Sequence, residues 1–219
     1  MPGYAPPPMA HESILRDVER YYTWKVDEHG PTPGGVDWNS AESQETRFAQ
    51  LLGVHRGEGP FSLNDYGCGY GALAELLAER FEDFAYNGFD VSQTMLDHAA
   101  ERLGSDPRCS LVSSGEELER ADYTVASGIF NVKLEADWDS WTGYVLDTIK
   151  RLAVLSDRAF AFNMLTSYSD PEHMRDDLYY GDPAFFFDSC KRLYSRDVAL
   201  LHDYGLYEFT IVVRLGAQP

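Results

Sequence analysis

One stretch constrains the fold more than any other. Asn64-Asp65-Tyr66-Gly67-Cys68-Gly69-Tyr70-Gly71 sets three glycines at alternate positions between a strand pattern, Phe61 to Tyr66, and a helix pattern, Ala72 to Phe81. Glycines there let the backbone turn sharply and approach a ligand with no Cβ in the way. A glycine-rich turn opening onto a helix N-terminus suits the anionic part of a nucleotide. A turn of this kind alone is equally a tight strand-to-helix connection. Asp90 raises its meaning. It ends a second strand, Tyr86 to Asp90, about 20 residues on, where the ribose-binding acid of a nucleotide-binding unit belongs. The dinucleotide fingerprint G-x-G-x-x-G is not met, because Ala72 stands where its last glycine would be.

The rest of the chain continues the alternation. A helix through Met95, Ala99 and Leu103 follows, then strands at 110–113 and 123–127, a helix over 138–155 and a strand over 159–165. A helix over 183–193 precedes two final strands, 198–203 and 207–215, joined so closely that they form an antiparallel hairpin at the sheet edge. Strands separated by helices imply a doubly wound, mostly parallel sheet. The expectation is therefore an α/β, Rossmann-like domain over residues 57–219. Its sheet has seven strands, with an antiparallel C-terminal strand. Residues 11–56 form an N-terminal helical cap. Its first helix carries Ile14, Val18, Tyr21 or Tyr22, and Lys25 at helical spacing, and stops at Gly30-Pro31; its second is N-capped by Ser40. Residues 1–10, rich in Pro and Gly, are expected to be a disordered tail.

Composition bounds the partners. Thirty-six acids against 18 Lys and Arg give a formal charge of −18, a surface that repels nucleic-acid backbones and anionic membranes. The hydrophobic fraction of 44% suffices for an ordinary core. Cys68, Cys109 and Cys190 have no metal-site spacing, so no metal is expected, and their odd, scattered number fits a reducing cytoplasm. The N-terminus has no apolar signal core, and no run approaches a membrane span.

At this level of detail the chain resembles the class I S-adenosylmethionine-dependent methyltransferases. NDYGCGYG is similar to their motif E/D-x-G-x-G-x-G, and GFDVSQTML to the acidic strand end that follows it; the resemblance covers roughly residues 61 to 215. It implies S-adenosylmethionine as cofactor, leaving as S-adenosylhomocysteine. Asp65, Gly67, Cys68, Gly69 and Gly71 would border the methionine moiety. Asp90 would hold the ribose, with Val91 and Met95 flanking the adenine. Ser114, Gly115 and Glu116 would reach the adenine amine, and Ser127, Gly128, Ile129 and Phe130 would line the methyl-transfer channel. Arg47, on the helix before the first strand, would pair with the donor carboxylate in two-pronged fashion, or else stay a solvent-exposed helix residue.

Transfer of a methyl group to a small acceptor needs mainly proximity and exclusion of water. Candidate acceptor contacts are Tyr22 and Trp38 in the cap, Phe130, Asn131 and Asn163 at strand ends, Tyr168 and Tyr179 in the insertion after the fifth strand, and Tyr204 in the last hairpin. If the acceptor must lose a proton, His202 or His173 would be the base, His202 pairing with Glu208 or a tyrosine across the hairpin. The expected reaction is methylation of an oxygen or nitrogen of a small organic metabolite. Rival readings are an NAD(P)-binding oxidoreductase, a non-catalytic donor-binding scaffold and a protein methyltransferase. The oligomeric state is left open.

Overall fold

A computed structural model describes residues 11–57 and 59–216; the tail at 1–10 lies outside them. Seven strands form one sheet: β1 (Phe61–Tyr66), β2 (Phe84–Phe89), β3 (Cys109–Val112), β4 (Ala121–Ala126), β5 (Ser156–Leu165), β6 (Asp197–Leu201) and β7 (Glu208–Arg214). Their spatial order is β3-β2-β1-β4-β5-β7-β6. The first five run parallel. β7 is antiparallel to both β5 and β6. The terminal hairpin therefore does not simply extend the edge in chain order: β7 slots between β5 and β6, leaving β6 outermost. β4 lies at the centre with β1 beside it, and the winding reverses between the two. That reversal opens a crevice at the strand C-termini, where ligands of doubly wound sheets bind.

Strand alternation divides the core between the two faces. In β5, Ala159 and Ala161 pack on the face that carries Leu63, Leu73 and Leu77, while Phe160, Phe162 and Met164 pack on the other with Trp141, Ile149 and Phe209. Helices α3 (Ala72–Arg80) and α4 (Gln93–Leu103) serve the β1–β3 half, and α5 (Trp138–Leu155) and α6 (Pro183–Leu193) the rest. Among the described residues no helix is long and apolar enough to cross a membrane.

The N-terminal segment crosses the crevice. α1 (Glu12–His29) buries Ile14 and Val18 against Trp141 and Tyr144, and farther along Val26 against Tyr70 and Met95. Val26, not Lys25, completes its inner stripe; Lys25 pairs with Asp37 at 2.6 Å instead. The helix is also fastened by polar contacts, at its N-cap from His11 to Asp147 at 3.0 Å and in its second half from Thr23 to Ser92 at 2.7 Å. α2 (Ala41–Leu51) follows, with the Ser40 hydroxyl accepting from the Ser43 amide as N-cap. It buries Gln44, Arg47, Phe48 and Leu51.

Candidate functional site

The site begins at the glycine turn. Gly67, Gly69 and Gly71 have φ of +86°, +53° and +83°, a region that costs side-chain-bearing residues energy. The amides of Gly67 and Cys68 both donate to the carbonyl of Phe89, at 2.7 and 2.8 Å, so the turn is tied to the end of β2. Asp90 adds a second tie. Its carboxylate accepts from the Gly69 amide at 2.8 Å and from the Ser92 amide at 2.9 Å. Burial raises its pKa, and those backbone donors pull it back. One oxygen engages the turn and the other the start of α4, each keeping lone-pair capacity for a ligand hydroxyl.

Asp65, at the end of β1, is fully enclosed and accepts from the Tyr86 hydroxyl at 2.8 Å. Burial pushes its carboxyl up to about 7, the charge of Asp90 adds to the rise, and the Tyr86 bond opposes it. Burial also pushes the Cys68 thiol well up, which holds it as the unreactive thiol. Across the crevice, Gly128 has φ of +72°, and a Cβ there would stand 2.4 Å from the Trp38 ring. Only glycine lets the β4 loop pass under that indole. The Asn163 side chain fixes this loop, its Oδ1 accepting from the Gly128 amide at 2.7 Å.

These elements enclose one pocket. Of the site candidates named from the sequence, Asp65, Gly67, Cys68, Gly69, Asp90, Val91, Met95, Ser127, Gly128, Tyr22 and Trp38 line it. Leu15 and Val18 of α1, Gln44 and Phe48 of α2, Tyr66 and Tyr144 line it too. Of these, Gln44 had a sequence signal: it lies three residues before Arg47, on the same helix face. Tyr144 had none, since only the packing of α5 brings it there. Asp65 and Asp90 are the only charged side chains on the wall among the described residues.

Other expected site residues sit elsewhere. Arg47 is neither a donor ligand nor a solvent-exposed helix residue. It is buried, and its Nε and Nη2 donate to the two carboxylate oxygens of Glu208 at 2.8 and 2.9 Å, so its fork is occupied. Its guanidinium also lies 3.9 Å from the centre of the Trp38 ring. Gly71 caps α3 behind the wall. Ser114, Gly115 and Glu116 are off the wall: the Gly115 carbonyl accepts from Arg151, its Cα backs Tyr66 and Phe89, and Glu116 is exposed. Phe130 is in the core, and Asn131 is buried with its Oδ1 on the Leu165 amide. Tyr179 is buried against Trp138 with its hydroxyl on Thr142. Tyr168 is 72% exposed, and Tyr204 bonds the Thr210 hydroxyl.

Neither histidine reaches the pocket. His202 is exposed beside Tyr168 and Phe209, and the Glu208 expected to pair with it belongs to Arg47. His173 is exposed beside Tyr207. Among the described residues no three His, Cys, Asp or Glu side chains converge as a metal site.

Comparison with known proteins decides the family. The family described as "Methyltransferase domain" matches residues 64–152. A Mycobacterium tuberculosis (strain ATCC 25618 / H37Rv) protein named "Putative methyltransferase Rv1506c" is 52% identical over 155 residues, 71% of this chain and 93% of its own. The chain belongs to the class I S-adenosylmethionine-dependent methyltransferases. A solved structure titled "DhpI-SAH complex structure" shares the methyltransferase fold at TM-score 0.62 and 13% identity, over 94% of this chain and 98% of its own. The trans-aconitate 2-methyltransferase of Yersinia pseudotuberculosis serotype O:1b (strain IP 31758) is 40% identical over 74 residues, 33% of this chain and 28% of its own. S-adenosylmethionine is the methyl donor of the family to which the chain belongs. The pocket fits it. Two acids suit a ligand carrying an ammonium, a sulfonium and a ribose diol, and the apolar Val91 and Met95 suit its adenine.

Proposed function

We propose that this methyltransferase methylates an oxygen or nitrogen of a small organic acceptor, bound at the aromatic end of the pocket. The observation that carries the reading is the roof. α1 spans the crevice, is fastened at its N-cap and again in its second half, and presents Leu15, Val18 and Tyr22 to the same pocket as Asp90. A roofed site admits a small molecule in place of a polymer segment, and the formal charge of −18 disfavours nucleic acid further. The stretch shared with a methyltransferase named for trans-aconitate is in keeping with a small acceptor. In this reading residues 11–56 act as the cap of the site, and Trp38, Tyr22 and Ile129 form the acceptor wall.

The bound donor supplies a methyl group on a sulfonium sulfur. The chain supplies orientation and dryness. Asp90 and the glycine turn fix one end of the ligand, and Trp38, resting on Arg47 and Gly128, fixes the height of the opposite wall. Asp65 and Asp90 lie on the donor side, and burial pushes the hydroxyl of Tyr22, on the acceptor wall, well above its ordinary pKa and so holds it as the neutral phenol; no ready base faces the acceptor. The acceptor therefore enters as a ready nucleophile, and proximity with exclusion of water carries the rate.

The test is untargeted mass spectrometry of separated small-molecule, protein and nucleic-acid fractions incubated with enzyme and donor. The expected result is a mass gain of one methylene confined to a small molecule. Gain confined to a polymer fraction would overturn the reading.

A further inference from the structure

Helix α2 turns two long polar side chains inward, Arg47 and, one turn earlier, Gln44. The first is spent on Glu208. Gln44 is only 8% exposed and lines the donor pocket. Its Oε1 accepts from the Tyr70 hydroxyl at 3.0 Å, which fixes the plane of the amide. Its Nε2 has no partner among the described residues. An amide donor held in a fixed plane on a pocket wall is pre-organised to meet a ligand acceptor.

The pocket supplies the complementary need. Its only charged side chains among the described residues are acids, so an anionic group of a ligand must be met by neutral N–H donors. α3 offers some: its N-terminus is uncapped by any side chain, and Ala72, its first residue, lies on the pocket wall. The first amides of a helix point at such an anion and carry its positive dipole end. The open amide and the open helix end thus face one space.

We propose that Gln44 binds the carboxylate of S-adenosylmethionine, its Nε2 donating to a carboxylate oxygen while Tyr70 holds the other end of the amide. The assignment rests on the reading of this pocket as the donor site, and it replaces Arg47 in that role.

The experiment is calorimetric titration with S-adenosylmethionine and with decarboxylated S-adenosylmethionine, which differ only in the carboxylate. Wild type is expected to bind the first more tightly. Gln44→Ala should weaken S-adenosylmethionine about tenfold, the scale of one charge-assisted hydrogen bond, and leave the decarboxylated ligand unchanged. Gln44→Glu should weaken it further, because a carboxylate would then face a carboxylate. Tyr70→Phe keeps the amide but frees it, and should lose part of the same discrimination. Equal losses for both ligands in the variants would reduce Gln44 to a structural role. Tighter S-adenosylmethionine binding by Gln44→Glu would mean that the side-chain oxygen faces the donor's ammonium. Both results overturn the proposal. Wild type that binds neither ligand would bring down the donor reading itself, and this assignment with it.

Discussion

Removing Arg47 should destabilise the protein far more than removing Arg47 and Glu208 together. The pair bridges α2 and β7, 161 residues apart, through two charge-assisted bonds of 2.8 and 2.9 Å, with side chains only 8% and 1% exposed. In Arg47→Met the Glu208 carboxylate stays buried, with only the Asn131 Nδ2, at 3.4 Å, among its former side-chain partners. Stranding one member of a buried pair costs about 3–5 kcal/mol. For a chain of this size that is roughly 6–20 °C in Tm, at about 2–4 °C per kcal/mol. Glu208→Met strands the guanidinium instead, which keeps only the Ser43 carbonyl and the Trp38 face, and should cost a similar amount. The double methionine variant puts two apolar side chains of similar length where two charges were. It should return to within about 1–2 kcal/mol of wild type, since such replacements are often neutral. Urea unfolding followed by tryptophan fluorescence reads all four proteins, and Trp38 lies on the perturbed group. The expected coupling between the two sites is several kcal/mol. Single variants that each cost under about 1 kcal/mol, or a double variant that costs their sum, would refute the reasoning.

Asp90→Ala should weaken S-adenosylmethionine by about 1–3 kcal/mol while the fold survives by circular dichroism; calorimetry that finds unchanged affinity would remove Asp90 from the site. Asp65 yields a pH signature. Its folded pKa of about 7 lies above the value of about 3.9 in an unfolded chain, so between them the native state holds more protons. Stability should therefore fall as pH rises from about 4 to about 7, level off above, and lose that slope in Asp65→Asn; urea midpoints that change in parallel for both proteins would contradict this. His202→Ala and His173→Ala, both on exposed positions, should keep kcat within about twofold. A loss of about 100-fold or more in steady-state assays would return a histidine to the chemistry.

What the sequence disclosed was the local part. The turn at 64–71 and Asp90 lie within one strand-helix-strand unit, and short-range patterns suffice to place glycines at positive φ and an acid at a strand end. α5 and α6 match the expected 138–155 and 183–193 to the residue, and in the structure Asp137 and Asp182 cap their first turns. The roles of Arg47 and the histidines were not legible, and the reason is range. Whether Arg47 meets a ligand or a glutamate depends on how β7 slots between β5 and β6, which puts Glu208 beside α2. The same slotting takes Glu208 away from His202 and leaves that ring outside the crevice. An arginine three residues after a glutamine looks the better carboxylate ligand in one dimension. In three, the arginine is neutralised by a partner 161 positions away, and of the two side chains it is the neutral amide of Gln44 that lines the pocket.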